Sequence, residues 1–124
     1  DSRGAKFHET NLRGASLQRG VFNDGDFSGA NLAPLKIVGS DVGSGTQDQE
    51  WPANLENAKF IGANLKGAHL RNANLSGVDF SNADLADADL RNSNVEGAIF
   101  SGAAISGAQF DGVDLSTARH RADE

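Results

Sequence analysis

Residues 63–92 read A-N-L-K-G, A-H-L-R-N, A-N-L-S-G, V-D-F-S-N, A-D-L-A-D and A-D-L-R-N. A large apolar residue recurs at every fifth position, with a small residue two positions before it and Gly, Asn or Asp two positions after it. We call the large residue the centre, its neighbours the pre-centre and post-centre residues, the small residue the small position, and the residue two after the centre the corner position. Self-similarity at a fixed period is typical of repeat architectures, so this stretch decides the fold.

The same register covers most of the chain in two blocks, residues 5–39 and 53–117. Together they hold 20 repeats, with Ala at the small position in 13 of them and Gly at the corner position in 10. All seven Phe residues are centres. The centres are Phe7, Leu12, Leu17, Phe22, Phe27, Leu32 and Ile37 in the first block, and Leu55, Phe60, Leu65, Leu70, Leu75, Phe80, Leu85, Leu90, Val95, Phe100, Ile105, Phe110 and Leu115 in the second.

A period of five fits neither an α-helix nor a flat strand. Residues five apart are rotated by about 140° around a helix, and on a strand they alternate between its two faces. A short extended piece followed by a turn in every repeat does fit, with Gly or Asn at the corner position supplying the positive φ that such a turn needs. The small position and the centre, two residues apart, then both point inward.

This consensus, A-N/D-L/F-x-G, resembles that of the pentapeptide repeat family. The resemblance implies an all-β solenoid, a right-handed quadrilateral β-helix with four repeats per coil, and therefore about five coils here. Phe60, Phe80 and Phe100 recur at intervals of twenty residues, as do Phe7 and Phe27, which independently indicates four repeats per coil. We expect one domain over residues 1–124. It has one insertion near residues 38–52, whose loop is at about 39–51, and a short tail at 118–124.

The stacking order across the insertion depends on how its residues are counted. Leu55 follows Ile37 by 18 residues, 13 more than the period. If these 13 residues loop out, Phe7, Phe27, Phe60, Phe80 and Phe100 form one aromatic ladder on the first face of the core. The second face is then Leu12, Leu32, Leu65, Leu85 and Ile105. The alternatives are that Val42 is a further centre, or that the segment replaces one repeat and moves Phe60 out of line.

Stacking also predicts ladders on the outer surface. Lys6, Asp26, Lys59 and Asp79 would alternate in sign on one face, and Asn54, Asn74 and Asn94 would align on another. A further expected ladder is Asn11, Asn31 and Asn64. We interpret the Asn stacks as structural, because such side chains satisfy the amides of nearby turns. Asp79, Asp84, Asp87 and Asp89 are expected to form an acidic girdle rather than a pocket.

The inserted loop carries the candidate contact residues, because loops concentrate function on repeat scaffolds. It holds the single Trp of the chain. The indole of Trp51 is expected either to cover the side of the column or to contact a partner. The candidate contact residues are Asp41, Gln47, Asp48, Glu50 and Trp51.

The residues that carry chemistry do not converge in this sequence. His8, His69 and His120 are far apart and there is no Cys, so we expect no metal site, and we expect no cofactor. Most Ser residues follow a centre, where they are expected to face solvent without a partnered His. A filled column offers no cleft for paired carboxylates, so catalytic residues are not expected.

Net charge and hydropathy restrict the partners. The chain carries a net charge of −6, which disfavours direct nucleic-acid binding, and it has no apolar run long enough for a membrane span. We expect a non-enzymatic scaffold that binds protein. Solenoids need caps, so the open ends predict either a trimmed cap, end-to-end self-association or a partner at one end.

The resemblance implies a second function class and leaves the compartment open. Family members that bind DNA gyrase are acidic columns shaped like DNA, and a DNA mimic that binds a topoisomerase is the alternative function. This chain departs from that pattern because it ends in S-T-A-R-H-R-A-D-E, without an apolar helix face. The family, abundant in cyanobacteria, occurs in cytoplasm, periplasm and thylakoid lumen.

Overall fold

A computed structural model describes residues 4–37 and 49–119. Within these ranges the regular elements are strand β1 (Leu35–Ile37), strand β2 (Gln49–Trp51) and a short 3₁₀ helix (Leu115–Thr117). The rest of the described chain is a succession of turns joined by isolated parallel bridges. The molecule is therefore held together by contacts between coils rather than by long strands.

The bridges join pre-centre residues that are 20 positions apart in the second block, as in Asn54 and Asn74, so four repeats make one coil. They form four ladders, which define four faces. Face A contains Lys6, Asp26, Asn64, Asp84 and Ala104; face B contains Asn11, Asn31, His69, Asp89 and Gln109; face C contains Ser16, Asn54, Asn74 and Asn94; face D contains Val21, Lys59, Asp79 and Ile99.

Every backbone amide of a typical repeat has an acceptor. The pre-centre amide donates to the preceding coil, the centre and corner amides donate to the next coil, and the next small-position amide closes the turn. The post-centre amide donates to the Asn or Asp side chain at the pre-centre position. In one repeat these bonds are Asn64 N to Gly25 O, Leu65 N to Asp84 O, Lys66 N to Asn64 Oδ1, Gly67 N to Ala86 O and Ala68 N to Leu65 O, at 2.7 to 3.0 Å.

The corner positions have the predicted conformation. Apart from Pro34 and Thr117, the described corner residues have positive φ angles, from 54° at Glu9 to 76° at Gly112. Residues with side chains at these corners include Asn57 and Asn82, because Asn tolerates the left-handed region better than most residues. The turn chemistry expected from the consensus is therefore present.

The core consists of centres and small positions stacked along the column axis. Each buried Leu or Phe stabilises the fold by about 1.5–3 kcal/mol. Of the ten expected core residues, Phe27, Phe60, Phe80, Phe100, Leu32, Leu65 and Leu85 are buried, Phe7 and Leu12 are partly buried, and Ile105 is 38% exposed. Ile105 is more exposed because it lies on the last coil of face A, where no described residue stacks above it.

The expected single aromatic ladder is wrong. Phe60 stacks on Phe22, with ring centroids 5.2 Å apart, and meets Phe27 edge-on at 5.1 Å. Phe80 and Phe100 continue the stack on face D at 5.8 and 5.4 Å, while Phe7 and Phe27 stack at 4.8 Å on face A. Above Phe27 the next centre on face A is Leu65, since Asp26 bridges Asn64. The expected second ladder is also wrong, because Leu70 rather than Leu65 follows Leu32 on face B.

This shift arises because Ile37 is not the centre of a rung. It lies in β1, which pairs antiparallel with β2, and the column resumes with Asn54 bridging Ser16. Leu55 is thus the next centre after Leu32 and follows it by 23 residues, 18 more than the period. The insertion begins at Leu35, and the alternative in which it replaces one repeat describes the structure.

Pro34 gives the physical reason. It occupies the corner position after Leu32, where the preceding described corners have positive φ. The pyrrolidine ring fixes φ near −65°, so the usual turn cannot form there. The chain leaves the column at this corner and satisfies the backbone groups of residues 35–37 by pairing with residues 49–51.

Candidate protein-interaction site

The hairpin formed by β1 and β2 leaves the column at the corner between faces B and C. Leu35 lies opposite Trp51, Lys36 opposite Glu50 and Ile37 opposite Gln49. Residues directly opposite each other in an antiparallel pair share one face of the ribbon, so Leu35 and Trp51 lie side by side. Their exposed fractions are 37% and 54%. The hairpin thus presents a small apolar surface.

The base of the hairpin lies directly against the column. A β-carbon built on Gly14 would lie 2.8 Å from Leu35 Cβ and 3.0 Å from the carbonyl oxygen of Trp51. Gly14 occupies the corner below Pro34, and its φ is +67°. Only glycine leaves room for this close approach, so Leu35 and Trp51 have a fixed place on the column.

The candidate contact residues divide into two groups. Glu50 and Trp51 lie in β2 and are exposed. Asp41, Gln47 and Asp48 lie outside the described residues. The half-exposed indole of Trp51 is compatible with partial cover of the hairpin base and also leaves a large ring surface free.

Arginine occupies three of the five post-centre positions on face B. From the first coil upward these positions hold Arg13, Ala33, Arg71, Arg91 and Asp111. Nε of Arg13 donates to Asn11 Oδ1 at 3.3 Å. Because Ala33 immediately precedes Pro34, the hairpin leaves the column at the level between Arg13 and Arg71.

Arg91 is engaged by its own repeat. Its Nε and Nη2 donate to the two carboxylate oxygens of Asp89 at 2.9 and 2.8 Å, a bidentate arrangement. The Arg91 hydrogen bonds lower the pKa of Asp89 against a smaller opposing effect of burial, and Asp89 raises the pKa of Arg91. The charges of Arg91 and Asp89 therefore neutralise each other.

The described charges are divided unevenly among the faces. Pre-centre, post-centre and corner residues give face B a net charge of +1, from three Arg and two Asp. Face A has a net charge of −2, from two Lys and four carboxylates, and face C has −1, from one Arg and two carboxylates. Face B is therefore the basic side of an acidic protein.

Two of the expected outer ladders are corrected by the register. Lys6 bridges Asp26 on face A and Lys59 bridges Asp79 on face D, so the four charges do not alternate along one face. Asn11 and Asn31 are followed by His69 rather than Asn64. Asn54, Asn74 and Asn94 do align, and their side chains accept hydrogen bonds from post-centre amides at 3.0 to 3.1 Å.

A polar cluster on the first two coils of face A was missed by the sequence analysis. Nδ1 of His8 lies 2.7 Å from Ser28 Oγ, and that hydroxyl donates to Asp26 Oδ1 at 2.7 Å. Nε2 of His8 lies 3.6 Å from Glu9 Oε1. The expectation that Ser lacks a partnered His is therefore wrong here. The signal was present, because His8 and Ser28 are both post-centre residues twenty positions apart.

This cluster resembles a hydrolytic triad only in its residue types. The amides of Ser28 and Gly29 are occupied, by Asp26 Oδ1 at 3.0 Å and Lys66 O at 2.9 Å, so neither could stabilise an oxyanion at Ser28. Hydrogen bonds from Ser28, opposed by burial and aided by His8 and Lys6, lower the pKa of Asp26. The arrangement stabilises a carboxylate on an open surface.

Within residues 4–37 and 49–119, no group of three His, Cys, Asp or Glu side chains is placed to hold a metal ion. No helix in the same ranges is long and apolar enough to cross a membrane.

A family model described as pentapeptide repeats matches the chain in eight copies, over residues 3–32, 53–87 and 79–117. The chain belongs to the pentapeptide repeat family. The internal stretch that the model leaves unmatched, residues 33–52, contains Pro34 and both strands, β1 and β2. A solved pentapeptide repeat protein resembles this chain in fold, and with its four bridge ladders the architecture is a four-sided β-helix.

One similar solved structure is a pentapeptide repeat protein from the thylakoid lumen of Arabidopsis thaliana. It is 28% identical with a TM-score of 0.59, and the match covers 98% of this chain and 72% of that one. HetL, a pentapeptide repeat protein involved in heterocyst differentiation regulation in Nostoc sp. strain PCC 7120, is 24% identical with a TM-score of 0.37, over 98% of this chain and 62% of that one.

QnrB1, a plasmid-mediated fluoroquinolone resistance protein, is 17% identical with a TM-score of 0.34, over 94% of this chain and 72% of that one. No curated protein sequence is significantly similar to this chain.

Proposed function

We propose that this pentapeptide repeat protein is a non-enzymatic interaction scaffold whose column positions the hairpin β1–β2 against a protein partner. The observation that carries the proposal is the pair of exposed apolar side chains, Leu35 and Trp51, on one face of the hairpin. Ile105 is a third large hydrophobic residue with comparable exposure.

An exposed Trp beside an exposed Leu is typical of an anchor in an interface. Trp is enriched among the residues that contribute most to binding, because its large ring buries much area with few rotatable bonds. The close contact of the hairpin with Gly14 reduces the ordering cost that a free loop would carry on binding.

The test is affinity capture from the native cell extract with the intact chain and two variants. We expect the intact chain and Ile61→Ala to capture the same protein, and Trp51→Ala to lose it. Ile61→Ala is the matched control because it shortens a partly exposed apolar side chain on face D of the column. Capture that survives Trp51→Ala, or that both variants lose equally, would contradict the proposal.

The alternative, an acidic DNA mimic that binds DNA gyrase, draws support from the net charge of −6. Against it, acidic and basic side chains interleave: Lys6 neighbours Asp26, Lys59 neighbours Asp79, and face B is basic. DNA itself carries an unbroken series of negative charges, about one per 1.7 Å of helix axis. A gyrase supercoiling assay separates the two functions, and we expect no inhibition.

We further propose that residues 1–124 form one domain of about five right-handed coils with one insertion over residues 35–52. The four bridge ladders, with five members on faces A and B, support the coil count. We also propose end-to-end self-association, because backbone amides of the last coil have no acceptor among the described residues.

A further inference from the structure

We infer that the docking surface extends from the hairpin along face B, and that it fits an acidic protein segment carrying an apolar side chain. This inference rests on the proposed function and names the chemistry of the partner. The apolar side chain would contact Leu35 and Trp51, and the carboxylates would contact Arg13 and Arg71.

The charge distribution points to an acidic partner. Face B is net positive in a chain whose net charge is −6, while faces A and C are net negative. An acidic segment is therefore attracted to face B and repelled by the two faces beside it. Complementary potentials of this kind steer association and fix orientation.

The positions of the arginines place that charge next to the hairpin. Asn31 bridges Asn11 below it and His69 above it, so the repeat that ends at Pro34 lies between the repeats of Arg13 and Arg71. With about 4.8 Å between coils, these two post-centre positions are roughly 10 Å apart. An extended segment of three or four residues spans that distance.

The ion pair on the next coil shows which arginines are available. Arg91 is bound in a bidentate pair to Asp89, whereas the side chain of Arg13 donates through Nε to Asn11, and its terminal nitrogens have no acceptor among residues 4–37 and 49–119. Trp and Arg are also the residue types enriched in protein interfaces. A nucleic acid would present phosphates to the same arginines, but its long backbone would also approach the acidic faces A and C.

The experiment uses the full chain and dye-labelled synthetic peptides of about twelve residues. The probe contains Glu and Ser with one central Leu; comparison peptides replace Leu by Ser or Glu by Lys, and an oligothymidylate of similar length tests nucleic acid. Binding is followed by anisotropy of the dye and by emission from Trp51, the single Trp of the chain. We expect the Glu–Leu probe to bind best and to shift the Trp51 emission.

Charge reversal on different faces provides the matched controls. We expect Arg71→Glu and Arg13→Glu each to weaken probe binding about tenfold, and Arg19→Glu, on face C, to weaken it less than about twofold. Glu is accommodated at a corner position, as Glu9 shows. Raising the salt concentration is expected to weaken binding of the intact chain.

Equal weakening by Arg19→Glu and Arg71→Glu, tighter binding of the lysine peptide or the oligothymidylate, or an unchanged Trp51 emission would overturn the inference. If a captured protein depends on Trp51 while the acidic probe does not bind, the proposed function stands and the acidic partner is wrong. If neither depends on Trp51, both are wrong.

Discussion

At the scale of single residues, the pre-centre position explains the Asn/Asp consensus. Oδ1 of Asn64, Asp84 and Asp89 accepts the post-centre amide of the same repeat at 3.0 to 3.1 Å. Either residue type serves, because the bond needs an oxygen and not a charge. Where Lys59 occupies this position, Asn23 of the coil below supplies the acceptor for Ile61 at 3.0 Å. The post-centre amide therefore has a side-chain acceptor in both situations.

The lowered pKa of Asp89 predicts a pH dependence of stability. A carboxyl with a folded-state pKa below its unfolded value contributes stability above about pH 4 that is lost as the pH falls through the lowered pKa. We expect Asp89→Asn to retain the turn hydrogen bond and to lose this contribution.

The free energy of unfolding, measured by urea denaturation between about pH 2.5 and pH 7, should therefore fall less on acidification for Asp89→Asn than for the parent chain. Parallel pH profiles for the two proteins would show that the Asp89–Arg91 pair contributes nothing to stability.

Corner glycines differ in what they contact, which predicts different costs for the same substitution. A β-carbon on Gly77 would overlap Asn57 Oδ1 of the coil below, whereas one on Gly97 would meet its nearest atom at 3.8 Å. Their φ angles are +69° and +72°, so backbone strain is matched at about 1–2 kcal/mol. We expect Gly77→Ala to be less stable than Gly97→Ala by about 1 kcal/mol.

Thermal and urea unfolding measure this difference, and Asn57→Gly should remove it. In that background the two alanine variants are expected to be equally destabilised. A difference that persists without the Asn57 side chain would place its cause elsewhere.

At the scale of elements, the repeat units were predictable and the path of the insertion was not. The centres, small positions and corners follow from the period because each repeats the same backbone requirements. Residues 35–39 also match the period, with Ile37 at the centre, so counting alone assigned them to the column. Pro34 carried the opposing information, since proline cannot adopt the corner conformation.

The contact residues were only partly accessible from sequence for a related reason. The loop composition and its single Trp indicated a contact site, but the pairing of Trp51 with Leu35 requires knowing that residues 35–37 leave the column. Similarly, Arg13 and Arg71 become neighbours of the hairpin only in the observed register.

The register predicts that the insertion can be removed without loss of the column. Deleting residues 35–52 and replacing Pro34 by Gly joins a complete repeat directly to Ala53, and Leu55 still stacks on Leu17. We expect this variant to keep the circular dichroism spectrum and a free energy of unfolding equal to or above that of the parent, because a long loop carries a closure cost.

Deletion without Pro34→Gly is the control, and it should be less stable because proline then occupies a corner that must turn. If the Gly-containing deletion fails to fold, the hairpin is part of the column's structural core.

At the scale of the whole molecule, the two ends carry complementary backbone groups. In lower coils the centre amide donates to the next coil, as Leu85 N does to Ala104 O at 2.7 Å. On the last coil, the amides of Ile105 and Phe110 have no acceptor among the described residues. On the first coil, the carbonyls of Lys6 and Asn11 occupy the positions that accept such bonds in every higher coil.

We therefore expect copies to associate head to tail, with the apparent mass in sedimentation velocity rising with concentration. Ile105→Glu should reduce this association, because a charge would be buried against the first coil of the next copy. Ile61→Glu, on the side of the column, is the control and should leave it unchanged. A mass that stays monomeric over a wide concentration range would contradict this expectation.

Although the chain leaves the column at Pro34, the four faces above the insertion continue the four faces below it without rotation about the column axis. The repeats before and after the insertion remain in bridging register with the neighbouring coils, although 18 residues separate Pro34 from Ala53. Foreign segments grafted at this corner would therefore be displayed without rotating the surfaces above them, at a height set by the number of coils beneath. In this protein, the corner at Pro34 is the position that carries such an inserted segment.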